Sequence, residues 1–416
     1  MSPTRRPRLV IAVVATALLV GYVVLWLSVD RLHERRSDFT AMYVGATLLH
    51  QGHGSQLYDE SLQTPLHAAL IAPDTEGNLP FLNPPIAAAT MLPLTAFSLD
   101  TAYRIWSLLQ VALLVLAVAV AARAAPWPPG LPRGTRLAVC LAALAGVGSL
   151  SLFLLGQWDG ATALGLAVAY ACWRRGNPAT GGAVLAVSAC IAKPHLALGL
   201  AAYVIARRDR RLTLGAAAGL GAVAAACLVI SGPSGCAGFV RSAFDSSSRT
   251  PLGELLGFTG LFGSWLGDTV AARALATAAT VAACAACAVL GDAWRRRPEN
   301  LETSLAGATA LSLLAAPHLH GHDLSILAPV AVWSIAAATR RDGIRLRWPA
   351  RAATRLLALW LLVNVAALLD LGNSRSAPPG RVVPWALLLA GGVALTACAP
   401  RLGRSGVKER RQASAT

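Results

Sequence analysis

One lysine of this chain combines a reactive side chain with apolar surroundings. Lys193 interrupts an apolar stretch at residues 181–206, and it is one of only two lysines among 36 basic residues. A charge at bilayer depth costs about 2.5–3.5 kcal/mol, so such a residue is rarely without a role. We predict a point charge that binds phosphate. The structural alternative is an ion pair with a nearby acid such as Asp159.

Asp38 is the second candidate, nine residues past the first apolar segment. A carboxylate at the lipid–water boundary is partly desolvated, which favours a general base that takes a proton from an acceptor hydroxyl. An acid at the start of a helix is also an ordinary cap, and the sequence leaves both interpretations open.

Two further polar positions lie in short connecting segments. Asp159 and Gln157 lie on either side of Trp158, and Asp159 either binds sugar hydroxyls together with Gln157 or caps the next helix. Arg249 lies in a Ser/Gly-rich segment and could reach a phosphate, although a solvated loop arginine is the stronger interpretation.

Three histidines alternate along another turn: His318, His320 and His322, followed directly by Asp323. Alternate spacing does not by itself present three ligands to one zinc ion, and no partner motif follows. We therefore predict no metal, and we expect phosphate contact by one or two of these histidines or plain interfacial solvation.

The composition indicates the environment of these residues. Hydrophobic residues make up 55% of the 416-residue chain and charged residues only 13%, whereas soluble domains carry about 25% charged residues. A net charge of +16 would suggest nucleic acid in a soluble protein. Here the arginines lie in short loops between apolar runs, so retention in the cytoplasm and anionic membrane lipids explain them better. We predict membrane lipids as partners and no nucleic acid.

The apolar runs predict an all-α polytopic membrane protein. We expect one domain over residues 1–400 and a basic cytoplasmic tail over 401–416. The first run is long enough to cross a core of roughly 30 Å at ~1.5 Å per residue, so it is expected to be retained as a span. About twelve segments are predicted, at residues 9–29, 102–122, 137–155, 160–173, 181–192, 194–206, 212–231, 269–291, 303–316, 323–339, 356–371 and 381–399.

The distribution of arginines predicts the orientation. Proline lacks a backbone donor and disfavours helical geometry just before it, so we expect two short halves that meet at Lys193–Pro194. Every arginine cluster then lies on the side of the N-terminus. We therefore predict cytoplasmic N- and C-termini in the cell membrane and an extracytoplasmic site. The outer loops are expected at 30–100, with amphipathic surface helices, and at 232–258.

Two absent motifs narrow the chemistry. The sequence has no D-x-D pair of the kind that holds a divalent ion on a nucleotide-sugar, and no Gly-rich phosphate loop. The outer face also has no supply of cytosolic nucleotides. A donor used there should arrive through the membrane, carried on a lipid.

An ordered set of motifs resembles glycosyltransferase family 87 over about the first 330 residues. The matching residues are Asp38-Phe39, Tyr43, Gln56-Leu57-Tyr58-Asp59, Asn83-Pro84-Pro85 with Pro93, Gly156-Gln157, Gly181-Gly182 to Lys193-Pro194, and Pro317-His318 with Asp323. The resemblance implies the GT-C membrane fold and a polyprenyl-phosphate sugar donor. The family includes mannosyltransferases of phosphatidylinositol mannosides and lipomannan, and related members transfer arabinose.

Roles follow from the resemblance by position. It implies that Asp38 is the catalytic base and that Lys193 and the histidine turn face the donor phosphate. His322 stands where the family often has an aromatic residue, which leaves the roles of His318 and His322 open. The residues assigned to the donor phosphate are Lys193, His318, His322 and Arg249, and those assigned to substrate binding are Tyr43, Tyr58, Gln157, Asp159 and Asp323.

The predicted function is an inverting transfer of a sugar, with mannose as the first expectation, from polyprenyl phosphate to a lipid or glycan acceptor. No cofactor is expected beyond this co-substrate. A transporter or lipid flippase also explains many spans, a broken helix and a buried lysine, but it predicts two related halves that we do not find. A non-enzymatic scaffold leaves Lys193 and Asp38 unexplained.

Overall fold

The computed structural model describes residues 6–73, 79–245, 252, 255–343, 349–371 and 380–399. The described residues contain eighteen α-helices, short 3-10 helices and no strand. The α-helices are α1 (Arg6–Ser28), α2 (Arg31–Arg36), α3 (Asp38–His50), α4 (Glu60–Ile71), α5 (Pro85–Met91), α6 (Leu99–Ala124), α7 (Arg133–Leu144), α8 (Val147–Leu155), α9 (Asp159–Arg174), α10 (Pro178–Cys190), α11 (Leu198–Ala206), α12 (Arg210–Asp245), α13 (Phe258–Leu266), α14 (Val270–Arg296), α15 (Leu301–Ala315), α16 (Leu327–Gly343), α17 (Pro349–Leu371) and α18 (Val382–Cys398).

Several helices have the length and composition of membrane spans. Five qualify singly: Leu9–Ser28, Leu99–Ala124, Arg210–Ala243, Val270–Arg296 and His322–Arg340. The pair α7 and α8, bent by 51°, makes a sixth if it is one span. Shorter apolar helices lie at four further predicted segments: Pro178–Cys190, Pro194–Ala206, Thr354–Leu369 and Val382–Cys398. The predicted segments at 160–173 and 303–316 coincide with α9 and α15. The described residues are therefore all-helical and consistent with a polytopic membrane protein, and the count of twelve spans stays a prediction.

The predicted break at Lys193–Pro194 is present. Helix α10 ends at Cys190, and a 3-10 helix begins at Pro194 and leads into α11. Lys193 has an extended φ of −135° and a ψ of 65°. These angles are not helical, and proline disfavours helical geometry in the residue before it. Lys193 therefore lies in the break between two helices.

The first loop differs from the expectation of helices that lie on the surface. In α3, nine of thirteen residues are buried, so the helix is enclosed on most sides. Gly45 makes this possible, because a Cβ there would lie 2.5 Å from the ring of Phe81. The ring of Phe39 also meets the edge of Tyr103 from α6, with 5.8 Å between centroids. Helix α3 is part of the core that carries Asp38.

The second predicted loop, residues 232–258, begins as a helix. Helix α12 continues to Asp245 beyond a kink at Gly232, which has a φ of 66°. The chain restarts at Pro233, whose fixed φ suits the first turn of a helix. We expected a membrane segment to end and a loop to begin near residue 232. The helix instead changes direction there and continues. Arg249 lies outside the described residues.

Candidate functional site

The turn between α8 and α9 determines the geometry of the site. Helix α8 ends at Gly156 in the left-handed conformation, with φ 61° and ψ 41°. A Cβ there would lie 3.1 Å from the Cβ of Phe39. Glycine meets both demands, because it adopts positive φ without strain and has no side chain to collide with α3. The next residues, Gln157 to Asp159, are thereby directed at the start of α3 and at the break before α11.

Helix α6 fixes this turn through side chains at i, i+3 and i+7. The hydroxyl of Tyr103 donates to the carbonyl of Leu154 at 2.9 Å. The indole Nε1 of Trp106 donates to the carbonyl of Gly156 at 2.8 Å, and Gln110 Oε1 accepts from the N–H of Ala161 at 3.0 Å.

Sequence reasoning did not identify these three supports. Their polar tips at helical spacing within one apolar span are the signal that could have found them.

Asp38 is joined directly to the turn. Gln157 Nε2 donates a hydrogen bond of 2.6 Å to Asp38 Oδ2. Asp38 is half-buried at the first position of α3, and its carboxylate is therefore both oriented and accessible. A hydrogen-bonded carboxylate in this position has the geometry of an oriented base.

The other end of the turn enters a group of buried charges, which we name the acidic cluster: Asp159, Lys193 and Asp323. Lys193 Nζ donates to Asp323 Oδ1 at 2.7 Å and to Asp159 Oδ2 at 3.1 Å. The exposed fractions are 6% for Lys193, 0% for Asp159 and 1% for Asp323. The ion pair with Asp159 that the sequence left as an alternative is present, and a second carboxylate joins it.

The histidine turn holds Asp323 in place. The N–H of His320 donates to Asp323 Oδ2 at 2.8 Å, and His322 Nε2 lies 3.5 Å from Asp323 Oδ1. The other ring nitrogen of His322 is buried and has no partner among the described residues. Burial lowers the pKa of His318, so its ring is neutral at pH 7.

A fourth histidine joins this group, and the sequence analysis did not single it out. His195 follows the helix break, and its ring meets the ring of His318 edge-on at 6.3 Å between centroids. Its position two residues after Lys193 was the available signal.

The acidic cluster also offers ligand types that metals use. One atom each of Asp159, His322 and Asp323 lies within 4.8 Å of the others. The Lys193 ammonium already lies between the two carboxylates, at hydrogen-bond distance from both. A metal ion at these ligands would have to displace or repel that ammonium, so the donor set fits a metal poorly.

The two predicted tyrosines make contacts within the protein. The hydroxyl of Tyr43 donates to the carbonyl of Phe97 at 2.8 Å, so the structure does not bring it to the acidic cluster. The hydroxyl of Tyr58 donates to the carbonyl of Asn83 at 2.6 Å, and burial raises its pKa. Asn83 Nδ2 in turn donates to the carbonyl of Ala192 at 3.1 Å, next to Lys193. Tyr58 therefore supports the helix break from a distance.

The comparisons with known proteins assign a family. A model of glycosyltransferase family 87 matches residues 81–317, which is more than half of the chain. This range includes Gln157, Asp159 and Lys193, whereas Asp38 precedes it and Asp323 follows it. Searches of curated proteins and of solved structures found no match. The chain therefore belongs to glycosyltransferase family 87, and it is a membrane glycosyltransferase.

Proposed function

We propose that the protein transfers mannose from a polyprenyl-phosphate donor to a hydroxyl of a lipid or glycan acceptor. The transfer takes place on the extracytoplasmic face of the cell membrane, with inversion at the anomeric carbon. Asp38 is the general base. The arginine distribution supports this sidedness, with both termini in the cytoplasm, and the lack of nucleotide-binding motifs supports a lipid-linked donor.

One observation carries the proposal: the three residues Gln157–Trp158–Asp159 connect Asp38 to the acidic cluster. Gln157 binds Asp38 at 2.6 Å, and Asp159 binds Lys193 at 3.1 Å, from positions two residues apart. This short turn therefore binds the proposed base, Asp38, at one end and the buried ammonium of Lys193 at the other. This arrangement suits a displacement in which the acceptor hydroxyl attacks the sugar close to the place where the phosphate leaves.

The chemical step follows from these positions. Asp38 removes the proton from the acceptor hydroxyl as its oxygen attacks the anomeric carbon. A bond forms from that oxygen to the sugar, and the bond from the sugar to the phosphate oxygen breaks. Polyprenyl phosphate leaves with the electron pair, and the proton remains on Asp38. One displacement inverts the centre, so a β-linked donor gives an α-linked product.

The leaving phosphate requires donors, and Lys193 is the first of them. Lys193 Nζ donates to Asp323 Oδ1 at 2.7 Å and to both carboxylate oxygens of Asp159, at 3.1 and 3.3 Å. A phosphate oxygen would take the place of Asp159 at the ammonium, which has three N–H groups in all. His318 and His322 add ring N–H groups, and we retain Arg249 as a further candidate. Because Lys193 supplies the fixed positive charge, the proposal contains neither a metal nor another cofactor.

The surplus carboxylate of the acidic cluster has a separate task. The cluster has two carboxyl groups for one ammonium, so one carboxyl group is in excess. An ionised carboxylate accepts hydrogen bonds only, which suits sugar hydroxyls. We therefore assign Asp159 and Asp323 to the hydroxyls of the transferred sugar, with Gln157 beside them.

The test is transfer by purified protein from synthetic polyprenyl-phosphate sugars to a panel of glycolipid acceptors. Asp38→Asn should lower kcat by about 10²–10⁴-fold, the usual contribution of a general base. Asp30→Asn is the matched control, because Asp30 caps α2 by accepting from the N–H of His33 at 2.8 Å and asparagine can do the same. A normal rate in Asp38→Asn would remove Asp38 from the mechanism.

The donor panel decides the sugar. Polyprenyl-phosphate arabinose is the alternative donor, and transfer from it in place of the mannose donor would redirect the proposal to an arabinosyltransferase. If no polyprenyl donor is used while a fluorescent glycolipid crosses vesicles that contain the protein, a flippase replaces the transferase.

A further inference from the structure

The C-terminal ends of three helices meet around the ring of Trp294, near the end of α14. The ring of Trp173, near the end of α9, lies 5.3 Å from it between centroids. The ring of Tyr203, near the end of α11, stacks on it at 5.6 Å with 9° between the planes. Basic residues lie beside all three ends, and we name them the arginine patch: Arg175 and the arginines of segments 207–211 and 295–297.

Acids within the arginine patch are already engaged. Asp292 binds Arg295 and Arg296, both at 2.6 Å. Asp209 caps α12, because it accepts from two backbone N–H groups at 3.0 and 3.2 Å. The arginines that have no ion-pair partner in the described part of the chain are Arg175, Arg207, Arg208, Arg210, Arg211 and Arg297. The patch therefore carries a surplus of positive charge.

Arg207 lies at the centre of the patch. Its guanidinium lies over the ring of Trp294, 4.7 Å from the centroid, so the side chain is held in a fixed direction. The residue is half-buried, and its Nε has no hydrogen-bond partner among the described residues. A donor that is withdrawn from water without a partner is unfavourable. An anion bound to this guanidinium would supply the missing counter-charge.

Arg208 occupies a backbone position that favours glycine. It follows α11 with a φ of 54°, and its N–H donates to the carbonyl of Ile205 at 3.1 Å. Helices commonly end on glycine in this left-handed conformation, because a Cβ strains it. The chain nevertheless has an exposed arginine here, directly beside Arg207. A positive charge is therefore present at the expense of local strain.

Apolar side chains border the patch on the outside of the same helices. Ile205, two residues before Arg207, is 66% exposed, and Leu214, in α12, is 57% exposed. In a membrane protein, exposed apolar side chains of this kind face lipid tails. A phosphate at the patch would thus have acyl chains beside it, which favours a lipid over a free anion.

We propose that the arginine patch is a binding site for one anionic phospholipid, whose phosphate is held by Arg207 and Arg208 and whose acyl chains lie along Ile205 and Leu214. Arginine suits this role because its planar fork of N–H groups matches phosphate oxygens. The arginine distribution predicts that this face is cytoplasmic, where anionic lipids attract basic segments. The site lies at the end of α9 opposite Asp159, and it does not depend on the proposed transfer.

The experiment titrates phosphatidylglycerol into the purified full-length protein in a neutral detergent and counts bound lipid by native mass spectrometry. Wild-type protein should bind one molecule saturably, and phosphatidylcholine at least about tenfold more weakly. Arg207→Gln should weaken the affinity for phosphatidylglycerol at least about tenfold, as expected when a charge-assisted hydrogen bond is lost.

Arg136→Gln is the matched control for general attraction between charges. Arg136 lies on the same predicted face, with its guanidinium 5.8 Å from the centroid of the Trp127 ring. Its Nε also has no partner among the described residues, yet it lies outside the arginine patch. Its replacement should leave the affinity at the wild-type value. Equal losses in Arg136→Gln and Arg207→Gln, or binding without saturation, would overturn the site.

A second variant separates binding from folding. Arg208→Gly removes a charge and relieves the left-handed strain, so it should raise the Tm of the lipid-free protein while it weakens the affinity for phosphatidylglycerol. An unchanged affinity in this variant would overturn the assignment of Arg208.

Inorganic phosphate distinguishes the lipid from a free anion. It should not displace phosphatidylglycerol from the wild-type protein. Complete displacement, or an equal rise of Tm with inorganic phosphate alone, would overturn the assignment to a lipid.

Discussion

Helix α9 carries a charge cluster at each end, and the two clusters differ in burial and in charge balance. At its N-terminal end lies the acidic cluster, in which two carboxylates share one ammonium. At its C-terminal end lies a group that we name the Glu302 cluster: Glu302, Arg174 and Tyr170. Glu302 Oε1 lies 3.3 Å from Arg174 Nη1 and accepts from the Tyr170 hydroxyl at 3.1 Å. Here one acid meets one base.

The helix itself does not explain this difference. Both clusters obey the same helix rule, with an acid in the first turn and a base in the last, where each interacts favourably with the helix dipole. The partners differ: α15 contributes a single acid at one end, whereas a helix break and a histidine turn meet at the other. The Glu302 cluster is complete in itself. The acidic cluster has a surplus carboxylate, and a buried nitrogen of His322 has no partner in the part of the chain that the structure describes, so this is the end suited to a ligand.

The largest difference in stability between the two clusters is expected when the basic residue of each is replaced by methionine. Lys193→Met leaves two buried carboxylates side by side, and it should lower the free energy of unfolding by about 3–5 kcal/mol. Arg174→Met should cost only about 1 kcal/mol, because the Arg174 side chain is 35% exposed and Tyr170 still binds Glu302. Denaturant unfolding in detergent, followed by tryptophan fluorescence, measures both.

A second substitution checks the cause of that loss. Adding Asp323→Asn to Lys193→Met removes one of the two repelling charges and should recover part of the stability. Equal losses in the two single variants, or no recovery in the double variant, would contradict the assigned charge imbalance.

The Tyr170 hydroxyl of the Glu302 cluster should affect the stability of the protein but not its rate of transfer. Tyr170→Phe removes a buried hydrogen bond to a carboxylate and should cost about 1.5–3 kcal/mol with no change in the rate of transfer. Tyr203→Phe is the control with a neutral partner, since its hydroxyl lies 3.0 Å from Ser304 Oγ, and it should cost about 1 kcal/mol. A slower transfer in Tyr170→Phe would mean that the two ends of α9 are coupled.

Local sequence signals predicted parts of the acidic cluster but not its assembly. Lys193 was recognisable because a lysine inside an apolar run is costly, and Pro194 predicted the helix break beside it. Asp159 was considered as its partner. Asp323 lies 130 residues further along the chain, and nothing local indicates that α15 and its turn bring it to 2.7 Å from the ammonium.

The local sequence also failed to predict two parts of the fold. The spacing of α3 predicted a helix with one buried face, yet contacts with Phe81 and with α6 bury most of it. The Ser/Gly-rich segment after residue 232 predicted a loop, because glycine and serine are common in turns, yet Pro233 restarts a helix there. In both cases tertiary packing overrides a weak local preference.

Two glycines in the left-handed conformation, one on each side of α9, allow backbone strain to be distinguished from the positioning of Asp38. Gly156 precedes α9 with a φ of 61°, and Gly176 follows it with a φ of 77°. Alanine at either position should cost about 1–2 kcal/mol of stability, because the left-handed region is strained for a residue with a Cβ. Only the Cβ of Gly156→Ala meets α3, at 3.1 Å from Phe39, whereas the space around Gly176 is open.

Activity distinguishes the two glycine variants. Gly156→Ala should displace Gln157 from Asp38 and lower kcat about tenfold, equivalent to roughly 1.4 kcal/mol. Gly176→Ala should leave kcat unchanged at a similar loss of stability. Measuring unfolding and transfer on the same preparations tests this, and equal rates in the two variants would show that the turn does not position Asp38.

The smallest expected effect is a pH dependence at the acidic end of α9. Burial lowers the pKa of His318, and the nearby His320 adds to this, while Asp323 opposes it. The unfolded chain binds a proton near pH 6.5, whereas the folded ring stays neutral to lower pH. The stability that His318 contributes is therefore complete above about pH 6.5 and is lost as the pH falls below that value. His318→Gln should flatten the fall of Tm between pH 7.5 and 5 by about 2 °C. His50→Gln, at an exposed histidine of α3, is the control, and an unchanged slope in His318→Gln would show that the ring of His318 is accessible to protons in the folded protein.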